Sequence, residues 1–249
     1  EGRTVTEQAR SALLAASDAF KSLGGDGSML HLSVFLAEPS QLAACRQAVR
    51  AALGASMPST SYIPQPPCGG SLVAVEALAL GRGREKVEVA RISDQLLLAR
   101  RGGRTWVYAD QAVPTTSAPG IYEKTLCCYR HLRRILPEGG ARLGQVLRTW
   151  LYLGGIVDDD GPGQRYLDLN RGRAEVYDGV RFLEERLPDG RPGPVFPAST
   201  GIGAAGRGLS ISAVALLSDE DEVVAVPLEN PRQTPAFDYA ARYSPRSPK

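Results

Sequence analysis

Histidine and sulfur are scarce in this chain: of 249 residues two are histidine, two methionine and four cysteine. Imidazole is the common transition-metal ligand and the common general base near neutral pH, so most schemes of either kind lose their raw material. His31 and His131 are expected to be structural or surface residues. Cys45, Cys68, Cys127 and Cys128 fall in no Cys-x-x-Cys spacing, which argues against a zinc site. Charge of one sign is lacking too. Against 29 Lys and Arg stand 27 Asp and Glu, a net +2 spread along the chain, which speaks against a nucleic-acid or anionic-membrane partner. No apolar run approaches the roughly 20 residues that span a bilayer, and no basic-then-apolar leader opens the sequence, so a cytoplasmic protein is expected. What is present is 43% hydrophobic residues, enough for one large core or two small ones.

Apolar spacing predicts helices over 6–23, 39–53, 118–136 and 164–187, the last followed by an expanded, proline-containing loop at 187–194. Alternation predicts strands over 30–36, 59–63, 71–80, 87–92, 95–100, 105–109, 146–153, 197–202 and 209–217. The glycine- and charge-rich stretch 81–86 marks a boundary, which divides the chain into 1–85 and 86–249. The order strand, helix, strand, strand occurs on both sides of it. Met29-Leu-His-Leu-Ser-Val-Phe-Leu36 lies over Val146-Leu-Arg-Thr-Trp-Leu-Tyr-Leu153, and Met57-Pro-Ser-Thr60 over Phe196-Pro-Ala-Ser199. The first half lacks the opening strands of the second, and the chain opens on Glu1 without methionine, so further residues are expected ahead of it. The glycine clusters 24–27 and 81–84 read as turns, and the acidic run 219–222 as a solvated loop.

A strand, a helix, then Pro-Ala/Ser-Ser/Thr before two more strands resembles the RidA (YjgF-type) superfamily in each half. That resemblance implies an α+β fold of two tandem RidA-like domains, each a mixed sheet backed by two helices. It also implies trimeric assembly with ligand clefts between neighbouring domains, hence a homotrimer. The deaminases of that superfamily hold the substrate carboxylate with an arginine after Pro-Ala; Thr60 and Ser199 stand at those positions here, with Arg148 or Arg173 as substitutes. Residues 145–249 resemble chorismatases more closely. The motifs are Arg148-Thr-Trp-Leu-Tyr152, Arg165-Tyr-Leu-Asp-Leu-Asn-Arg-Gly-Arg173, Pro197-Ala-Ser-Thr-Gly-Ile-Gly203 and Leu228-Glu-Asn-Pro-Arg-Gln-Thr-Pro-Ala236. Leu151 replaces an amide in the first of them. The resemblance implies a hydrolase or lyase of chorismate, or of a related small cyclic carboxylate, acting in biosynthesis without metal or cofactor.

Enol-ether hydrolysis needs a proton donor, cations for carboxylates and polar groups to place water. Glu229, between Leu228 and Asn230-Pro231, reads either as the acid, kept protonated by apolar packing, or as a surface carboxylate. Arg148, on an otherwise apolar strand, and Arg173 read as substrate cations. Arg165 and Arg171 read as solvated helix charges. Ser199, Thr200 and Gly201 offer hydroxyls and close backbone approach to a carboxylate, or form a strand bend. Tyr152 and Tyr166 are expected to line the pocket. The stretch 199–203 does not read as a nucleophile elbow, because a Ser-His-acid set there lacks a convincing histidine. Two other readings stay open: an enamine or imine deaminase using a displaced cation, and a non-catalytic module that binds a metabolite.

Overall fold

The computed structural model describes residues 4–22, 28–81, 85–114, 118–161, 163–182, 194–219 and 232. Helix α1 (Val5–Ser22) starts at a reciprocal cap, in which the Thr4 amide donates to Glu7 Oε2 at 2.7 Å and the Glu7 amide to Thr4 Oγ1 at 3.3 Å. Strand β1 (Ser28–Leu36), helix α2 (Leu42–Leu53) and strands β2 (Ser59–Pro64) and β3 (Val73–Leu80) follow. They form a sheet of order β2-β1-β3, with β2 parallel and β3 antiparallel to β1. Leu32, Val34 and Leu36 on one face of β1 are buried against Val5, Ala9 and Leu13 of α1 and Cys45, Ala48 and Val49 of α2. Burial pushes the Cys45 thiol up to about 11, so it packs as a small neutral group.

The second sheet has the order β10-β7-β11-β6-β5-β4. Its strands are β4 (Glu88–Arg91), β5 (Leu96–Arg101), β6 (Arg104–Ala112), β7 (Val146–Gly154), β10 (Ala198–Ala204) and β11 (Leu209–Ser218). A two-residue ladder, β8 (Asp159–Asp160) with β9 (Gly163–Gln164), stands apart from it. Helices α3 (Ile121–Ile135) and α4 (Arg165–Tyr177) cover one face of this sheet. Ile121, Tyr129, Leu132 and Ile135 of α3 and Leu169 and Val176 of α4 join its Val107, Ala109, Leu151, Leu153, Ile211 and Ala213 in one core. The architecture is α+β with two mixed sheets, as expected.

The expected helix over 164–187 is shorter than its pattern suggested. It ends at Tyr177, where the Asp178 amide caps back to Ala174 and Glu175 and Gly179 adopts φ +71°. An Asp-Gly pair ends a helix whatever apolar spacing follows. Residues 183–187 and most of the loop 187–194 lie outside the described residues, as do 24–27, 82–84 and 220–222.

The strand order β10-β7-β11 repeats β2-β1-β3, parallel partner on one side and antiparallel on the other. The register repeats as well: His31 lies opposite Ser59 and Arg148 opposite Ala198. The two sheets meet through their helix-free faces. Leu30 and Leu80 of the first pack with Leu97, Ala99, Tyr108, Trp106 and Val214 of the second. Period-two alternation therefore sorts residues 31–36 of β1 and 148–153 of β7 into a helix-facing and a sheet-facing set, beyond the register shifts near the start of each strand.

Candidate functional site

On β7 the sheet-facing set is Arg148, Trp150 and Tyr152. The Arg148 guanidinium lies over the Trp150 ring, 5.3 Å from its centroid, and donates to Thr200 Oγ1 of β10. Among the described residues it has no carboxylate within ion-pair distance. Tyr152 is buried, and burial pushes its hydroxyl up to about 12, against a smaller opposing effect of the Ser33 hydroxyl directed at it. It stays protonated at any working pH. The inner face thus brings together Arg148, Tyr152 and Thr200.

The remaining predicted binding residues lie on the other side of the same strands. Thr149 Oγ1 and Ser199 Oγ are 2.7 Å apart, and the Tyr177 hydroxyl of α4 lies 3.2 Å from that of Tyr129. A Cβ on Gly201 would come within 3.1 Å of the Tyr166 ring. Tyr166, Asn170, Arg173 and Tyr177 follow one another at helical spacing of four, three and four, along one stripe of α4. Tyr166, Arg173, Ser199 and Gly201 therefore belong to the seam between α4 and β10, and the sheet separates them from Arg148. Glu229 lies outside the described residues.

Two expectations need correction. Arg165 is not a solvated charge: it is 2% exposed. Its Nε donates to Gly154 O at 2.8 Å, Nη1 to Asp160 Oδ2 at 2.9 Å and Nη2 to Arg207 O at 2.9 Å. The backbone at 154 and 206 approaches so closely that a Cβ on Gly154 would sit 2.3 Å from Gly206 O, and the guanidinium fork ties that crossing together. Arg171, by contrast, is exposed, pairs with Asp168 at 3.3 Å and lies over Tyr122.

The second correction concerns His31. Sequence reasoning found no histidine placed beside a serine and an acid, yet His31 Nδ1 lies 3.0 Å from Asp110 Oδ2 and Nε2 3.1 Å from Ser33 Oγ, all three buried. The imidazole is stacked between Tyr108, at 6.2 Å, and Trp150, at 5.3 Å. Burial opposes its charge, but the Asp110 carboxylate and, more weakly, Glu76 outweigh that and raise its pKa. Burial likewise pushes Asp110 up, and the His31 charge and the surrounding hydroxyls bring it below the ordinary value. Ser61 donates to Asp110 Oδ1 at 2.8 Å, so its contact with Ser212 Oγ, also 2.8 Å, is one it accepts; Ser212 in turn accepts from the Gln111 amide at 3.2 Å. A bulge makes this possible. Gln111 takes φ +51° where β6 slips against β11, which turns Asp110 toward the first sheet. The only signal in the sequence was the alternation of His31 and Ser33 on one strand.

His131 is half-buried on α3 and pairs with Gln95 Oε1 at 3.1 Å, a structural role. The cysteines are free thiols, and no cluster of three or more metal-ligating side chains occurs among the described residues. No helix among them is long and apolar enough to cross a membrane. A surface groove along α2, lined by Pro39, Leu42, Arg46 and Arg50, borders none of the predicted site residues.

Comparison with known proteins gives these surfaces a family. The chain is 36% identical over 128 residues to a 3-hydroxybenzoate synthase of Streptomyces hygroscopicus, 51% of this chain and 33% of that protein. It is 35% identical over 104 residues to a chorismatase of Streptomyces rapamycinicus, covering 41% of this chain and 27% of the other. It thus spans about a third of the length of these relatives. A chorismatase crystal structure overlays on 89% of this chain and 57% of its own, with a TM-score of 0.53 and 20% identity, a likeness of fold. The family model described as chorismatase FkbO/Hyg5-like, N-terminal, matches residues 82–215. That match begins well before residue 145, where the motif likeness starts, and ends before the Leu228–Ala236 motif. Since it takes in more than half of the residues, the chain belongs to the chorismatase FkbO/Hyg5-like, N-terminal family.

Proposed function

We propose that this protein converts chorismate, or a closely related cyclic enol-ether carboxylate, with loss of the enolpyruvyl side chain as pyruvate. The observation that supports it best is Arg148, in the matched stretch: a guanidinium held on an indole, bonded to a neutral hydroxyl, with its charge uncompensated by any described carboxylate. A planar two-donor fork suits a substrate carboxylate, and its cost in a half-buried position is offset only when an anion arrives. Tyr152, held protonated, supplies a neutral hydroxyl at the same face. Glu229 is the proposed acid. Its proton goes to the terminal carbon of the enol ether, water adds to the resulting cation, and the hemiketal collapses to pyruvate and a ring alcohol. No group beyond protein side chains and water enters that balance.

The test is incubation with chorismate and an assay for pyruvate. Release above the spontaneous rate is expected, abolished by Glu229→Gln and lowered roughly ten- to a hundredfold in kcat/KM by Arg148→Gln, the usual range for a lost hydrogen bond to a charged group. No pyruvate above background would overturn the reading.

A further inference from the structure

We infer that His31 is a positioning residue for the ligand face, holding the Trp150 ring that carries Arg148, and that its positive charge strengthens anion capture there. The inference rests on the reading of Arg148 as a ligand contact. The first contact is Trp150: the imidazole stacks on the indole, 13° from parallel, and the Arg148 guanidinium lies over that same ring. The second contact is Ser33, which accepts from Nε2 of the imidazolium at 3.1 Å and fixes the tilt of the ring on Trp150. Asp110, fixed by Ser61, orients the ring by taking the Nδ1 proton. The ring is thus held at both nitrogens and stacked with two aromatic rings.

The groups facing His31 can be named element by element. From β6 come Tyr108 and Asp110, from β3 Glu76, from β7 Trp150 and Tyr152 with Arg148 beyond, and from β2 Ser59 and Ser61. The carboxylates favour the imidazolium, so it keeps its proton above the ordinary histidine value of 6.5 and loses it as pH climbs further. Loss of that charge weakens the field on a bound carboxylate and turns Nε2 from a donor to Ser33 into an acceptor from it. By linkage, a bound anion raises the proton affinity of His31 in return.

Two readouts test this, and they fail independently of each other. The chain has two tryptophans, so Trp106→Phe leaves Trp150 as the sole indole reporter. An imidazolium in contact with an indole quenches its emission. Fluorescence is therefore expected to rise as pH passes through the His31 ionisation, and to stay flat in Trp106→Phe/His31→Gln. This measurement needs no turnover, so it stands even if chorismate is not a substrate. In kinetics, KM for chorismate is expected to rise roughly tenfold across the same pH window while kcat changes little, a typical coupling between sites. His31→Gln and Asp110→Asn should each show the raised KM at all pH values, with the pH limb gone. A flat titration with His31 intact, or a KM limb that persists in His31→Gln, would overturn the inference. Because the wild-type titrations need no substitution at His31, a variant that fails to fold does not shield it.

Discussion

At the scale of single residues, the informative cases are charges whose burial no local pattern announces. Arg165 opens a helix in a polar stretch, and its residue type alone says solvent. Its partners are the carbonyls of Gly154 and Arg207 and the carboxylate of Asp160, contributed by three separate segments. Removing the guanidinium leaves the Gly154 and Arg207 carbonyls without their donor and Asp160 with only the longer contact to Arg207, at a cost of about 3 to 5 kcal/mol. Arg165→Met is expected to lower stability by about that much, and Arg165→Lys by nearly as much, since an ammonium lacks the planar fork. The denaturant midpoint at constant m-value is the measurement; a loss under about 1 kcal/mol would show the three bonds to be dispensable. The same limit hid the His31–Asp110 pair. Alternation places His31 and Ser33 on one face, but only the bulge at Gln111 turns Asp110 to meet them, and a bulge depends on two strands that lie far apart in the chain.

At the scale of elements the sequence was largely legible, because strands and helices follow from local periodicity. The expected strands over 30–36 and 146–153 correspond to Ser28–Leu36 and Val146–Gly154, and the repeat drawn between them reappears as the same parallel register in both sheets. The failure was the end of α4, where apolar spacing ran on past an Asp-Gly stop. Illegible in principle was the packing between elements. Gly172, mid-helix in α4, looks like a weakness costing about 1 kcal/mol against alanine. Its place in the fold shows why it stands there: a Cβ would meet Thr125 Cβ at 3.0 Å, Thr125 Cγ2 at 3.1 Å and Tyr122 O at 3.1 Å, all on α3. Gly172→Leu gains helix propensity and loses the close crossing. Overpacking of this kind costs about 1 to 3 kcal/mol and outweighs the gain, so a fall in Tm is expected by calorimetry, with a rise as the contrary result.

At the scale of the whole molecule, which faces are left open decides what the chain needs from a neighbour. The first sheet has three strands, and among the described residues no further strand pairs with either edge; β3 exposes Glu76 and Leu78 on the face that looks toward Arg148's strand. The second sheet ends in β4, exposed along its whole length, with Val89 and the adjoining Ile92 each more than 40% exposed. Edge strands carrying apolar side chains are a standing invitation to pair, and a soluble chain that keeps them covers them. Residues 1–85 and 86–249, taken as two tandem units, meet through their helix-free faces, and the remaining unit of a ring is expected from a neighbouring copy. A homotrimer is the expected assembly, with each ligand face, Arg148 included, completed by the adjacent copy. Light scattering of the purified chain reads this directly: the expected mass is three times that of one chain, falling toward it only at high dilution. A mass that stays at one chain over the whole concentration range would dispose of the trimer, and would confine the ligand site to what a single chain can build around Arg148 and Tyr152.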